Sequence, residues 1–259
     1  MQLNELPAKT GLLWFRQGMA IFRRNPLGLL LTFFVYVLVM TLLSIVPVIG
    51  PLLPLLSIPV ISVGFMAACR SVVEGKPVLP TVLLSGLRDH GPLAARRLLG
   101  LGLAYALAVG AVFAFSTLGD DGSFARLALG SMNEAEARQM GGMPLGAVGL
   151  AALAYIPVTM LFWFAPVLCA WHDIGVAKAL FFSWVAVWRN RGAFVVYALA
   201  WISLALSLSF VVSALMLLLG LQAMALTVLM PISLVVTTLL YCSFYPTYLG
   251  CFGVARATA

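Results

Sequence analysis

Three short segments of the sequence repeat a combination of residues that suits phosphate binding. The segments are FRRNPLG at 22–28, LRDHGPL at 87–93 and WRNRGAF at 188–194. In each one, an aromatic residue or leucine precedes arginine, polar residues follow, and glycine or proline ends the pattern ahead of an apolar run. Arginine at the edge of an apolar region can reach phosphate groups while its stem stays in apolar surroundings. The candidate headgroup-binding residues are Arg16, Arg23, Arg24, Arg88, Arg189 and Arg191.

Two histidine–aspartate pairs suggest a second kind of chemistry. Asp89 precedes His90, and His172 precedes Asp173. Two imidazoles and two carboxylates would suit a metal ion if the pairs met, although each pair also suits an ordinary polar flank of an apolar run. The chain has no glycine-rich phosphate loop, HExxH motif or nucleophile elbow. We therefore expect no catalytic residues, no metal and no cofactor, and we predict that the chain is not an enzyme.

The composition predicts that these residues are held by membrane-spanning helices. Hydrophobic residues make up 63% of the chain and charged residues 9%, whereas soluble domains carry about 25% charged residues. Since a helix needs about 20 apolar residues to cross the hydrocarbon core, uncharged runs of 45, 22, 33 and 64 residues hold two, one, one and two spans. The predicted fold is all-α, with six transmembrane helices plus amphipathic interfacial helices in a single transmembrane domain at 1–259. The spans are predicted near 27–46, 52–72, 98–118, 144–171, 193–218 and 223–250.

The distribution of basic residues predicts the orientation. Thirteen of the fifteen lysines and arginines fall on the side that holds the N-terminus, and only Arg126 and Arg138 fall on the other. By the positive-inside rule, both termini are cytoplasmic. The net charge of +7 then reflects topology and attraction to anionic lipid, and nucleic-acid binding is not expected. The first apolar run is long enough to span and lacks a cleavage site, so we expect it to remain in the mature protein.

Each arginine segment is predicted to form a corner between an interfacial helix and an outgoing span, because glycine or proline permits a sharp change of direction. The helix ahead of the first corner is amphipathic. Its basic face carries Lys9, Arg16 and Arg23. Its apolar face carries Trp14, Phe15, Ile21 and Phe22. Such a helix is expected to lie in the membrane plane. The aromatic helix ahead of the third corner is expected to be buried more deeply. Ahead of the second corner, the sequence offers only a short candidate helix.

Three prolines mark the returning spans. Pro59, Pro157 and Pro231 are each followed by Val or Ile and, ten to twelve residues on, by cysteine. Together with the corners they predict three parallel repeats of two spans. The repeat units would cover 10–75, 79–175 and 176–254, with an extra-cytoplasmic insertion at 119–143. Kinked return spans could line a cavity, although packing is the expected role of the prolines.

The insertion is the substantial polar segment outside the membrane. Ser131 followed by Glu134 fits a capping box, which predicts a short helix over about 132–140. We expect a solvated surface helix there, although it could also contact a partner.

The layout of a basic amphipathic helix, an arginine corner and a long apolar region is similar to that of known families. The segments PAKTGLLWFRQG at 7–18, AIFRRNP at 20–26 and VAVWRNRGAF at 185–194 carry this similarity. The chain resembles uncharacterised bacterial polytopic inner-membrane protein families, in particular those related to the membrane domain of glycerophosphoryl diester phosphodiesterase. The resemblance implies a bacterial inner membrane. It carries over no catalytic residue, because the phosphodiesterase part of such proteins is a separate domain.

Two functions are consistent with these features. The first is a non-enzymatic module that binds membrane lipids, anionic ones above all, or a partner protein, which includes a second copy of the chain. The alternative is a transporter or flippase for a lipid or an apolar solute, which the repeat and the prolines favour. No predicted span holds a charged residue in its interior, whereas ion-coupled transporters usually place ionisable residues there. A pump driven by protons or sodium ions is therefore disfavoured.

Overall fold

The computed structural model describes residues 3–46, 49–50, 52–128, 132, 142 and 144–253. Within these residues the regular structure is helical and contains no strand, which confirms the all-α prediction. The α-helices described are α1 (Thr10–Arg24), α2 (Pro26–Ser44), α3 (Leu52–Val73), α4 (Ser85–Arg88), α5 (Gly91–Ser116), α6 (Ser123–Ala128), α7 (Leu145–Phe162), α8 (Ala165–Trp171), α9 (Val176–Arg189), α10 (Arg191–Leu218) and α11 (Ala225–Phe252). Short 3₁₀ turns lie at Pro80–Leu84, Thr117–Gly119 and Gln222–Met224.

Six helical stretches are long and apolar enough to cross a membrane, as predicted. They are Pro26–Ser44, Leu52–Val73, Gly91–Gly119, Leu145–Trp171, Arg191–Leu218 and Gln222–Phe252. The chain is therefore a multi-pass integral membrane protein. The third span starts earlier than the predicted residue 98, because α5 begins at Gly91 with a proline in its first turn. Arg96 and Arg97 consequently lie within the early turns of this helix, where their stems can snorkel towards the interface.

The fourth span, predicted near 144–171, consists of two helices in succession. It breaks after Phe162, and α8 resumes at Ala165. The Ser183 hydroxyl accepts a hydrogen bond from the Phe164 backbone N at 2.9 Å and donates one to the Met160 carbonyl at 2.8 Å. Ser183 is fully buried. The backbone groups released by the break therefore stay hydrogen-bonded away from water, as an apolar environment requires.

The chain divides into two compact units, each with its own core. The first unit comprises the described parts of 1–39, 61–89 and 185–259. In it α1 packs against both α10 and α11. A second cluster joins α2, α3 and α11 through aromatic rings, with the Phe65 and Tyr241 centroids 4.6 Å apart and stacked, and Phe33 5.9 Å from Phe65. Aromatic contacts of this kind hold spans together where water cannot drive them to associate.

The second unit comprises the described parts of 40–60 and 90–184. Its core lies between α5 and α7 and is formed by Tyr105, Val109, Val112, Ala151 and Val158. The hydroxyl of Tyr105 is 2.6 Å from that of Tyr155, so the two phenols share a hydrogen bond across the helix pair. A Cβ on Gly102 would lie 2.2 Å from the Leu56 carbonyl oxygen. Glycine is thus required at this close approach of two backbones.

The insertion contains α6, which begins at Ser123 and was not predicted. Asp120 precedes it, and one of its carboxylate oxygens accepts from the Gly122 backbone N at 2.9 Å and the other from the Phe124 backbone N at 2.7 Å. Aspartate ahead of a helix is a standard capping signal that could have revealed α6. The helix predicted over about 132–140, with Ser131 and Glu134, falls outside the described residues except for residue 132.

The prolines of the return spans lie inside helices. Pro59 lies within α3, Pro157 within α7 and Pro231 within α11. Proline removes one backbone hydrogen bond at each place. The hydroxyls of Thr159 and Ser233 donate to the Ile156 and Met230 carbonyls of their own helices. The grouping of the spans into three parallel repeats stays a prediction.

Candidate lipid-binding surface at the arginine corners

The three arginine segments each form a short corner between two helices, as predicted. Asn25 alone separates α1 from α2, residues 89–90 separate α4 from α5, and Asn190 alone separates α9 from α10. The helix ahead of the second corner has four residues, in line with the short candidate that the sequence offered. All six candidate arginines are exposed, so their guanidinium groups are open to a ligand.

The first corner is built by Asn25 and Pro26. The Asn25 side-chain oxygen accepts a hydrogen bond from the Gly28 backbone N at 3.1 Å, which caps α2. Pro26 occupies the first helical position, where its missing N–H costs nothing. Arg23 and Arg24 lie in the last turn of α1, where positive charge also offsets the negative end of the helix dipole.

The third corner is held by Asn190, which is 1% exposed. Its side-chain oxygen accepts from the Leu6 backbone N at 2.8 Å, and its amide donates to the Asn4 and Ala186 carbonyls at 3.0 and 2.9 Å. The Asn4 backbone N in turn donates to the Cys251 carbonyl at 2.8 Å. The segment that precedes α1 is thereby tied to the corner and to the end of α11.

The apolar face of α1 is covered by protein, and the position of this helix in the membrane plane stays a prediction. Trp14 is 1% exposed, with its ring centroid 5.2 Å from that of Phe194 on α10. A Cβ on Gly11 would lie 2.1 Å from a backbone atom of α10, and one on Gly18 would lie 2.5 Å from a side-chain atom of α11. Helical periodicity predicts which face is apolar, but it does not say whether lipid or protein covers that face.

A groove of about 470 Å³ runs along α1 on the side that faces the C-terminal ends of α3 and α11. Its apolar surface is formed by Leu13, Ala20, Ile21, Val73, Pro246 and Leu249. One edge is polar and is formed by Thr10, Gln17 and Arg24, which are spaced by seven residues along α1. Residues seven apart share a helical face, and this spacing is the signal by which the sequence could have revealed Thr10 and Gln17.

The arginines differ in whether other side chains already engage them. Within the described part of the chain, Arg16, Arg23, Arg24 and Arg88 form no side-chain hydrogen bond or ion pair. Arg189 lies 3.6 Å from Glu5, an exposed pair that contributes little to stability. The Arg191 guanidinium lies 5.5 Å from the Trp188 ring centroid. The first corner therefore offers Arg23 and Arg24, two charges that no other described side chain engages.

The second corner places Arg88 beside a smaller cavity of about 280 Å³, together with Thr81, Ser85 and Asp89. The Ser85 hydroxyl is buried and has no hydrogen-bond partner within the described residues. Because the hydroxyl is itself inaccessible, a ligand in this cavity would meet Arg88 and Asp89 together, and their opposite charges favour neither anion nor cation.

A small ion-pair network follows α3. Glu74 lies 2.7 Å from Lys76 and 2.9 Å from Arg70. The Lys76 ammonium, and next the Arg70 guanidinium, hold the pKa of the Glu74 carboxyl below its ordinary value. These two basic residues are thus partly neutralised and compete poorly with Arg24 for an anion.

Of the two histidine–aspartate pairs, the second is engaged by an arginine, since Asp173 forms an ion pair with Arg97. Burial lowers the pKa of His172, which disfavours the charged form of this imidazole. Among the residues that the structure describes, no group of three or more His, Cys, Asp or Glu side chains could hold a metal ion.

Comparison with known proteins agrees with the membrane architecture. A family model described as a domain of unknown function (DUF7847) matches residues 12–254. The chain is also 56% identical over 262 residues to a protein of Burkholderia thailandensis that is named a "probable inner membrane protein", with 100% of this chain and 97% of that protein covered. No solved structure matches the chain. These matches support the predicted membrane family in general, whereas the finer resemblance to the glycerophosphoryl diester phosphodiesterase membrane domain gains no support from them.

Proposed function

The chain belongs to the DUF7847 family of domains of unknown function, and from its geometry we propose that it is a non-enzymatic inner-membrane module that binds anionic lipid at its arginine corners. The observation that carries this proposal is the first corner. There Arg23 and Arg24 are exposed and unpaired within the described residues, directly before the span α2. Guanidinium groups at such a position suit phosphate oxygens, which they can bind with two parallel hydrogen bonds.

The proposed orientation places both termini and the three corners on the cytoplasmic side of the bacterial inner membrane. Its support is the positive-inside rule together with the name of the Burkholderia relative. In this orientation the arginines face the leaflet whose negative surface potential attracts basic segments, at about 1 kcal/mol per charge. A protein partner or a second copy of the chain could share this surface.

A transporter or flippase for a lipid or apolar solute is the second candidate function. The positions of Pro59, Pro157 and Pro231 inside three return spans favour it, because proline-interrupted helices often line transport pathways. Measured movement of labelled lipid between leaflets in proteoliposomes separates this function from a purely binding one.

The orientation is tested by labelling single cysteines. We expect an Ala128→Cys variant to react with a membrane-impermeant thiol reagent added outside spheroplasts, and a Leu79→Cys variant to react only after the membrane is opened. Both positions are exposed and uncharged. The four native cysteines are buried and give little background. The reverse labelling pattern would show that the orientation is wrong.

The lipid-binding proposal is tested by removing charge from the first corner. Replacing Arg23 and Arg24 with glutamine is expected to remove about 2 kcal/mol of attraction, at about 1 kcal/mol per charge. Thermal stabilisation by phosphatidylglycerol at low salt should therefore decrease relative to the wild type. The protein should still insert, since six apolar spans remain.

The matched control replaces the same two residues with lysine, which keeps the charge but loses the planar donor pair. We expect this variant to keep most of the low-salt response. Salt should weaken the wild-type response, because exposed charges are screened over about 8 Å at physiological ionic strength. If wild type and glutamine variant respond equally to phosphatidylglycerol across a salt series, the corners are topological signals only.

A further inference from the structure

We propose that the groove along α1 holds one acyl chain of an anionic phospholipid whose phosphate group lies at Arg24. This inference rests on the proposed function and converts a general attraction to anionic lipid into a defined site. The apolar surface of the groove ends at a single exposed guanidinium that has no partner within the described residues. An apolar chain with a negative charge at one end matches this arrangement.

The volume of the groove suits a chain-like ligand. At about 470 Å³ it falls within the range of about 300–1,000 Å³ typical of small-molecule sites. A flexible hydrocarbon chain can follow such a groove along α1.

The position of the groove favours lipid as the source of that chain. One wall comes from Val73 at the end of α3 and from Pro246 and Leu249 near the end of α11, and both helices are apolar enough to cross a membrane. The groove thus opens where spans leave the hydrocarbon core. Phospholipid is present there at far higher concentration than any soluble apolar ligand.

The charge of the first unit favours a negative headgroup. Its described glutamates are already engaged, since Glu5 lies against Arg189 and Glu74 against Arg70 and Lys76. On the groove edge itself, Thr10 and Gln17 accompany Arg24 and form no side-chain hydrogen bond within the described residues. They supply neutral donors beside one positive charge, which suits phosphate oxygens.

The test fills the groove without changing any charge. In Ala20→Trp, an exposed position on the groove surface receives a large ring. The matched control is Leu12→Trp, an exposed position on the same helix outside the groove. Protein in mixed phosphatidylglycerol and phosphatidylcholine nanodiscs is extracted at high salt, and the retained lipid is counted by native mass spectrometry.

We expect wild type and Leu12→Trp to retain one phosphatidylglycerol per chain, and Ala20→Trp to retain none above background. Gln17→Trp, a second groove-filling variant at an exposed position, should behave like Ala20→Trp. The test therefore remains informative if one of the two variants misfolds. In a matched extraction at low salt, Arg24→Gln should lower retention by about fivefold, the effect of about 1 kcal/mol for one unscreened charge. Retention of phosphatidylglycerol by both folded groove-filling variants, or no effect of Arg24→Gln, would overturn the proposal.

Failure of this site and failure of the proposed function give different results. If the groove is not the site, the tryptophan variants match wild type in both high-salt retention and the low-salt response to phosphatidylglycerol. If instead the corners do not attract anionic lipid, the low-salt response is insensitive to Arg23→Gln and Arg24→Gln together, while salt-resistant lipid can still be lost in Ala20→Trp. Inorganic phosphate added during extraction should not displace the retained phosphatidylglycerol, since the acyl chain in the groove contributes most of the binding.

Discussion

Replacing Gly18 with valine is expected to separate α1 from α11 and to lower the midpoint of thermal unfolding by about 6–12 °C. A Cβ at this position would lie 2.5 Å from the Ser243 Cβ and 2.8 Å from its Cα, so the two helices cannot keep their spacing. Overpacking of this kind costs about 3 kcal/mol, and each kcal/mol shifts the midpoint by about 2–4 °C in a chain of this length. Displacement of α1 also exposes Trp14, which is otherwise buried.

The control for this prediction is Gly110→Val in α5, where a Cβ would meet nothing within 4 Å. Both variants place the same β-branched residue inside a helix, so differences in helix propensity cancel. Scanning fluorimetry in detergent reports the midpoint, and hydrogen exchange of α1 reports the displacement. Equal, small shifts in both variants would show that α1 does not depend on close backbone contact.

Replacing Asn190 with alanine is expected to release the segment that precedes α1. The change removes three hydrogen bonds, one accepted from Leu6 and two donated to Asn4 and Ala186. At about 1 kcal/mol for each bond, the loss is about 3 kcal/mol, since the buried partners find no water in their place. Hydrogen exchange at Leu6, and cleavage of the segment by a protease, should both become faster.

Two variants calibrate this result. Asn25→Ala removes one capping bond at the corresponding position of the first corner and should cost about 1 kcal/mol. Asn190→Asp keeps the acceptor for Leu6 but places a buried carboxylate against the Asn4 and Ala186 carbonyls, so it should be at least as destabilising as Asn190→Ala. If Asn190→Ala destabilises the protein no more than Asn25→Ala does, other contacts hold the segment that precedes α1.

The number of spans and the corners could be predicted because they depend on local properties. Apolar length fixes a span whatever surrounds it. The combination of arginine, asparagine and proline at 23–26 specifies a helix end, a cap and a new helix start within four residues. The structure confirms both features.

The partner of each apolar face could not be predicted in the same way. Trp14 would show the same helical pattern against lipid as against Phe194 and Tyr197. The break after Phe162 could not be predicted either. The hydroxyl that hydrogen-bonds to the backbone at the break comes from Ser183, some twenty residues later in the chain. Similarly, the groove at α1 depends on Pro246 and Leu249 from the last helix. Such features arise from contacts between distant segments, on which a single sequence carries no direct signal.

The packing of α1 against α10 and α11 has a consequence for biosynthesis. The ribosome synthesises α1 before α10 and α11. Ala193 and Ser243, which lie against the glycines of α1, leave the ribosome on the order of 200 residues later. At about 5–20 residues per second, that delay is about 10–40 s. During it α1 must wait at the membrane surface as an amphipathic helix with Trp14 unburied. Nascent chains stalled before α11 should therefore show α1 open to aqueous quenchers, and completion of the last span should close it.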